Sequence, residues 1–169
     1  LTTIISGINN TIKDLQKMTD KEQASEKINS IRDQISIGST FVKDKAVFLI
    51  MYRNTLMERL LSGTSNATIE RELLTSLNYK DEPDIYAKMV HQINNIRDSK
   101  LYNKGFQDVK IKQKTDLYKS FDMTKLRRDN CKFTVLKSYA WDILPEDRMV
   151  APANVAIYLD SINSYYKEK

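Results

Sequence analysis

Between Phe41 and Leu61 the chain reads FVKDKAVFLIMYRNTLMERLL, and its centre, Ala46 to Tyr52, is seven consecutive apolar residues. Such a run has three natural settings: a buried strand, part of a bilayer span, or the middle of a helix wrapped by protein. A span needs about 18–20 apolar residues in succession, so the second setting fails. Asp44 stands where a helix needs an N-cap, and RNTLMERLL continues without a breaker. Phe48, Tyr52, Leu56 and Leu60 recur on one side, while Ala46, Ile50, Met57 and Leu61 line another. The spacing predicts a central helix over 44–62, apolar nearly all round and covered by neighbours on several sides.

Those neighbours are legible on both sides. Ile4/Ile5, Ile8, Ile12, Leu15 and Met18 form one helical seam, predicting a helix over 2–18. After the polar break TDKEQ, Ala24, Ile28, Ile31 and Ile35 form another over 24–37, with Gly38 as its stop. Downstream, Ser65 or Asn66 can cap a short helix whose inner face is Ile69, Leu73, Leu74 and Leu77. Pro83 introduces a longer one over 84–99 with Ile85, Met89, Ile93 and Ile96 as its seam, His91 lying off it as a solvated residue. Four Gly and three Pro in 169 residues suit long helices and short connections.

The charge is uneven. Lys100 to Lys132 holds ten Lys or Arg and four Asp, a net of +6, while the remainder has 17 basic and 18 acidic residues, a net of −1, giving +5 in all. No periodicity is sustained there, so 100–132 reads as loop or partly disordered chain. KFTVLKSYAW, Lys132 to Trp141, has the β-branched and aromatic density of a strand. A last helix follows Pro152, with Val155, Tyr158/Leu159, Ile162 and Tyr165/Tyr166 as its seam. One strand alone cannot satisfy its own backbone groups, so its partners are expected from further chain or from another protein. The fold class is therefore mainly α: a four-helix-bundle-like domain over 1–106, a basic insertion over 107–131, and the start of an α/β unit with a mixed sheet over 132–169.

Little in the sequence suggests catalysis. There is no Gly-rich phosphate loop and no nucleophile with evident triad partners. Glu70 and Glu72 fall on opposite helix faces and make no ready acid–base pair. A single His and a single Cys, Cys131, leave no zinc ligand set and no internal disulfide, which points to a reducing, intracellular compartment. The chain begins without Met and stops within a helical pattern, as an excised fragment would. No metal or cofactor is expected, and the reading that remains is a non-catalytic scaffold or binding module.

The run Phe41, Asp44, Lys45, Phe48, Tyr52, Arg53, Leu56, Arg59, Leu60, Leu61 resembles a signature of the cullins, the scaffolds of multi-subunit ubiquitin ligases. Leu77, Met89, Asp98, Ser99 and Phe106 are similar to a second family pattern, and FTVLKSYAW with Pro152 and YLDSINSYYKEK to a third. Asp142 stands where the family usually has Pro, and 107–131 is longer and more basic than its pattern, as in a divergent member, a fungal one among the candidates. The cullin-like subunit of the anaphase-promoting complex shares the Arg-Leu-Leu and Trp landmarks and is the alternative within this resemblance.

The resemblance implies a helical bundle followed by an α/β sheet, completed by later strands and by a strand from a zinc-carrying RING subunit. That subunit recruits the ubiquitin-conjugating enzyme, substrate adaptors bind upstream, and the complex works in the nucleus or cytoplasm. On this reading Phe133, Thr134, Val135, Leu136, Lys137, Ser138 and Tyr139 dock the RING subunit, Phe133, Val135 and Lys137 on one face and Thr134, Leu136 and Ser138 on the other. Phe48, Tyr52, Leu56, Leu60, Met89 and Ile93 form the bundle core, and Trp141 anchors the strand. Under the alternative of a basic helical nucleic-acid-binding domain, Lys110, Lys112, Lys114, Arg127 and Arg128 are the candidate contacts, with Tyr102, Tyr118 and Phe121 interleaved among the basic residues, although neutral helices around one basic loop favour a solvated insertion. No membrane contact is expected.

Overall fold

The protein is described by a computed structural model over residues 1–15, 17–107, 133–141 and 152–167. Six helices occur among these residues: α1 (Thr2–Leu15), α2 (Lys21–Phe41), α3 (Lys45–Ser62), α4 (Ala67–Leu74), α5 (Pro83–Gln107) and α6 (Ala153–Lys167). No strand is present among them. The fold described is mainly helical, and no helix of it is long and apolar enough to cross a membrane.

Side-chain caps set the helix starts. Asp20 accepts from the N–H groups of Glu22 and Gln23 at the head of α2. Asp44 accepts from Val47 N at 3.1 Å and opens α3, as its position in the sequence implies. Asn66, rather than Ser65, caps α4 through Thr68 N and Ile69 N, both at 3.0 Å. Gly63 closes α3 with φ 71, a left-handed conformation that costs glycine nothing.

α1 packs chiefly on α2 and also on α3; α5 packs on α3 and α4. Ile5, Ile8, Ile12 and Leu15 of α1 meet Ile31 and Ile35 of α2 in the main core. Phe48, Tyr52, Leu56 and Leu60 of α3 are buried in it with Met89 and Ile93 of α5, the core residues expected. At the far end Phe106 of α5 and Tyr158 and Ile162 of α6 make a second, smaller cluster.

Several boundaries differ from the sequence reading. α2 does not stop at Gly38 but runs on to Phe41. The glycine is there for closeness, since a Cβ at position 38 would lie 2.7 Å from Phe48 Cε2. α3 is not covered all round: Val47, Ile50 and Leu61 are exposed, and its buried side is a single stripe. α5 continues through residues 100–107, where a loop was expected, because burial of Phe106 extends the helix beyond the span that its weak periodicity marks. The seam of α6 is narrower than read, Leu159 and Tyr166 being exposed. The strand expected over 132–141 is not found among the described residues: 133–137 carry no regular secondary structure, with every second N–H bonded to a side chain of α5, and end in a turn at 138–140. Its hydrogen bonds go to a helix, as described below. The basic stretch 108–131, with Lys110, Lys112, Lys114, Arg127 and Arg128, lies outside the described residues.

The most tightly specified interaction in the core is ionic. Arg59 of α3 donates from Nε to Glu70 Oε1 at 2.7 Å and from Nη2 to Glu70 Oε2 at 2.9 Å, a two-pronged pair. Its third nitrogen, Nη1, donates to Asn9 Oδ1 of α1 at 3.2 Å. The Arg59 side chain is 1% exposed and that of Glu70 0%. The Tyr52 ring lies 5.5 Å from the guanidinium carbon, adding a cation–π contact. Burial works against the Arg59 charge, but the Glu70 carboxylate outweighs it and the guanidinium pKa rises. For Tyr52 burial dominates, reinforced by the Glu70 charge and opposed by Arg59, and the phenol is pushed well above its usual range.

Two outcomes are expected. Glu70→Ala strands the guanidinium in the core and should cost about 3–5 kcal/mol in urea unfolding, whereas Arg59→Met with Glu70→Leu should restore most of that loss. A single variant as stable as the parent would show that the pair does not hold the core. Tyr52 contributes to stability at alkaline pH: its unfolded phenol ionises near 10.0, while burial keeps the folded one protonated above that. Its contribution is therefore intact below that pH and falls as pH rises, by about 1.4 kcal/mol per unit. Tyr52→Phe should flatten the loss of urea midpoint between about pH 9 and about pH 11 relative to the parent.

Candidate functional site

Residues 133–141 form the one described segment without regular structure that is built against a helix along its length, and α5 supplies its partners. Asn95, Ser99 and Asn103 stand four residues apart on one face of α5. Four helical residues rise about 6 Å. Two residues of extended chain rise about 6.6 Å. A polar stripe at four-residue spacing therefore matches every second peptide of an extended chain.

The bonds follow that match. Asn103 Oδ1 accepts from Phe133 N at 3.1 Å, and its Nδ2 donates to Phe133 O. Ser99 Oγ accepts from Val135 N at 2.8 Å, and Asn95 Oδ1 accepts from Lys137 N at 3.2 Å. The segment has the alternating bonds of a strand edge, but its neighbour is a ladder of helix side chains. That arrangement supplies the partners that a lone strand lacks.

Both ends are anchored by aromatic rings. Phe133 stands edge-on to Phe106 at 5.7 Å, within the cluster that also holds Tyr158 of α6. Trp141 is buried in the main core and donates from Nε1 to Asn95 Oδ1 at 2.6 Å. Between them Leu136 packs on the core, and the chain turns through Ala140 N to Lys137 O at 2.9 Å. Thr134, Ser138 and Tyr139 are exposed, and the Tyr139 ring meets exposed His91 edge-on at 5.4 Å.

The opposite edge is open. Backbone groups alternate along an extended chain, so the peptides of Thr134 and Leu136 face away from α5. Their N–H groups have no bonding partner among the described residues. Beside Thr134 a groove of about 650 Å³ opens between the end of α3 and α5, lined by Leu60, Leu61, Gly63, Ile96 and Lys104. The docking residues read from the sequence, Phe133 to Tyr139, are thus contiguous in space; Ser138 and Tyr139 belong to the turn.

Other residues singled out in the sequence have structural places. Asp44 is a cap, Tyr52 and Arg59 belong to the buried clamp, and Trp141 is a core anchor. Glu70, set aside because Glu72 lies on the other face, is the counter-ion of Arg59. Asn9, Asn95 and Asn103 were not singled out. The i, i+4, i+8 spacing of Asn95, Ser99 and Asn103 beside an apolar seam was the available signal. Among the described residues no group of three or more His, Cys, Asp or Glu is placed to hold a metal ion. No family model matches the chain, and no curated protein or solved structure matches it either.

The ladder predicts a ranked outcome. Asn95→Ala strands two donors, Lys137 N–H and the Trp141 indole, and should cost about 2–4 kcal/mol; Ser99→Ala strands one and should cost about 1–2 kcal/mol. Trp141 is the single tryptophan, so its emission reports the loosening directly. A red shift is expected for Asn95→Ala alone, and equal effects of the two variants would show that Asn95 does not carry the anchor.

Proposed function

We infer that this chain is a scaffold region of a multi-subunit RING ubiquitin ligase of the cullin type, and that segment 133–137 presents its outward edge to a strand of the RING subunit. The observation that carries the reading is the open edge: one side of the extended segment is fixed by α5, and the Thr134 and Leu136 donors face outward without partners among the described residues. Strand addition draws affinity from main-chain bonds of this kind. A preformed edge lowers the ordering cost of such docking.

The residues resembling the cullin signature support the reading in a second way, since most of them have work to do in the bundle, Phe41 and Leu61 being exposed. Asp44 starts α3, Phe48, Tyr52, Leu56 and Leu60 are its buried stripe, and Arg59 joins three helices. Met89 and Phe106 fill the two clusters, and Ser99 is a rung of the ladder. A scaffold needs rigid spacing more than a reactive group. On this reading the RING subunit carries the zinc and recruits the ubiquitin-conjugating enzyme. The present chain contributes position, the complex acts in nucleus or cytoplasm, and the mixed sheet forms only with partner strands. Catalysis then consists of effective concentration and orientation.

The test separates the two edges of one segment. Thr134→Pro removes an outward donor at an exposed residue and leaves the ladder to Ser99 intact. It should leave the melting temperature nearly unchanged yet abolish co-purification of the RING subunit and ubiquitin-chain formation in a reconstituted reaction. Val135→Pro removes the inward donor and should loosen the segment as well. Full RING retention and full chain formation in both variants would remove this segment from the docking site.

A further inference from the structure

Gln92 is 0% exposed, and neither its Nε2 nor its Oε1 has a hydrogen-bond partner among the described residues. A buried amide with both ends unpaired is costly and rare in native proteins. Its place on α5 gives the reason. Gln92 lies three residues before Asn95, on the same face as Asn95, Ser99 and Asn103. A three-residue step rises about 4.5 Å. Gln is one methylene longer than Asn, and helix side chains lean toward the N-terminus, which makes up much of the shortfall. The ladder therefore has a fourth rung, aligned with residue 139 of the segment.

The segment stops one rung short. After Lys137 it turns through the Ala140 N to Lys137 O bond, and the Tyr139 peptide does not reach Gln92. Tyr139 is nonetheless adjacent: its ring, on a residue 60% exposed, already touches His91, the neighbour of Gln92. Asn103 shows what a carboxamide does on this face, its oxygen accepting from an N–H and its nitrogen donating to the carbonyl of the same residue.

We propose that the 138–140 turn has a second arrangement in which Gln92 pairs with the Tyr139 peptide, Oε1 accepting from its N–H and Nε2 donating to its carbonyl. The exchange breaks one turn bond, Ala140 N to Lys137 O, and forms two that are buried. Trp141 stays seated on Asn95, so the rearrangement is confined to three peptide planes. With Tyr139 turned inward, the Ser138 peptide faces outward in register with those of Thr134 and Leu136. The open edge then has three donors instead of two, so a strand docking there favours this arrangement by its differential contacts. This last consequence rests on the docking reading above; the two arrangements of the turn do not.

The test therefore needs only the present chain. Relaxation-dispersion NMR on uniformly labelled protein should show exchange at the backbone amides of residues 138–141 and at the Gln92 side-chain amide, while 133–137 stay quiet. Gln92→Met keeps the volume and length and removes both polar atoms. It should fold with an equal or higher melting temperature, since no unpaired amide remains, and the exchange at 138–141 should vanish. Ala140→Pro, which deletes the turn donor, should instead slow hydrogen exchange at the Tyr139 amide. Absence of exchange in the parent, or exchange that persists unchanged in a folded Gln92→Met, would overturn the proposal. Loss of RING docking with the exchange intact would overturn only the functional reading.

Discussion

The Arg59–Glu70 pair gives direction to elements that otherwise meet through an apolar core. α4 is only eight residues long, too short to be stable alone. It stays in place through Leu73 and Leu74 in the core and through a carboxylate held on two prongs by α3. The third nitrogen of the same guanidinium reaches α1. Hydrophobic packing alone leaves helices free to slide by small amounts, because apolar contacts are not directional. A buried ion pair is intolerant of sliding, since separation leaves a charge in a medium that cannot solvate it. The pair thus sets the position of α4 relative to α3.

From that position the candidate site follows. α5 lies against α3 and α4, with Met89 and Ile93 turned to the core. The adjoining strip of α5, from Gln92 to Asn103, is left to face the 133–141 segment. A seam that is apolar on one side and carboxamide or hydroxyl on the next explains why α5 has two kinds of neighbour. It packs on helices by dispersion and on an extended chain by hydrogen bonds.

Much of this architecture was legible because it is local or periodic. Asp44 announces α3, and the stripe Phe48, Tyr52, Leu56 and Leu60 announces which side is buried. The β-branched and aromatic residues of 133–137 read as a strand, which the described residues do not form; what the segment bonds to, a helix face, was not readable. Alternation identifies a strand and says nothing about what satisfies it, and a helix face of Asn and Ser looks like a solvated one until the chain lying on it is known. Gly38 misled for a related reason: a glycine late in a helix reads as a stop, while here it admits the Phe48 ring. Glu70 was hidden because a buried carboxylate is recognised only by its partner, and that partner is eleven residues away on another helix.

A ladder of side chains also differs from a sheet in how it bears load. Tension along residues 133–137 pulls across all the rungs at once, so Asn95, Ser99 and Asn103 share it. Tension that lifts either end acts on one rung at a time, but at both ends it first meets an aromatic wedge, Phe133 or Trp141. The segment is therefore stiff to shear and guarded against peeling, and that stiffness comes from a helix that is itself a rigid rod. A segment fastened in this way passes a pull on its open edge straight into α5 and the bundle, with little slack between the edge and the body that carries it.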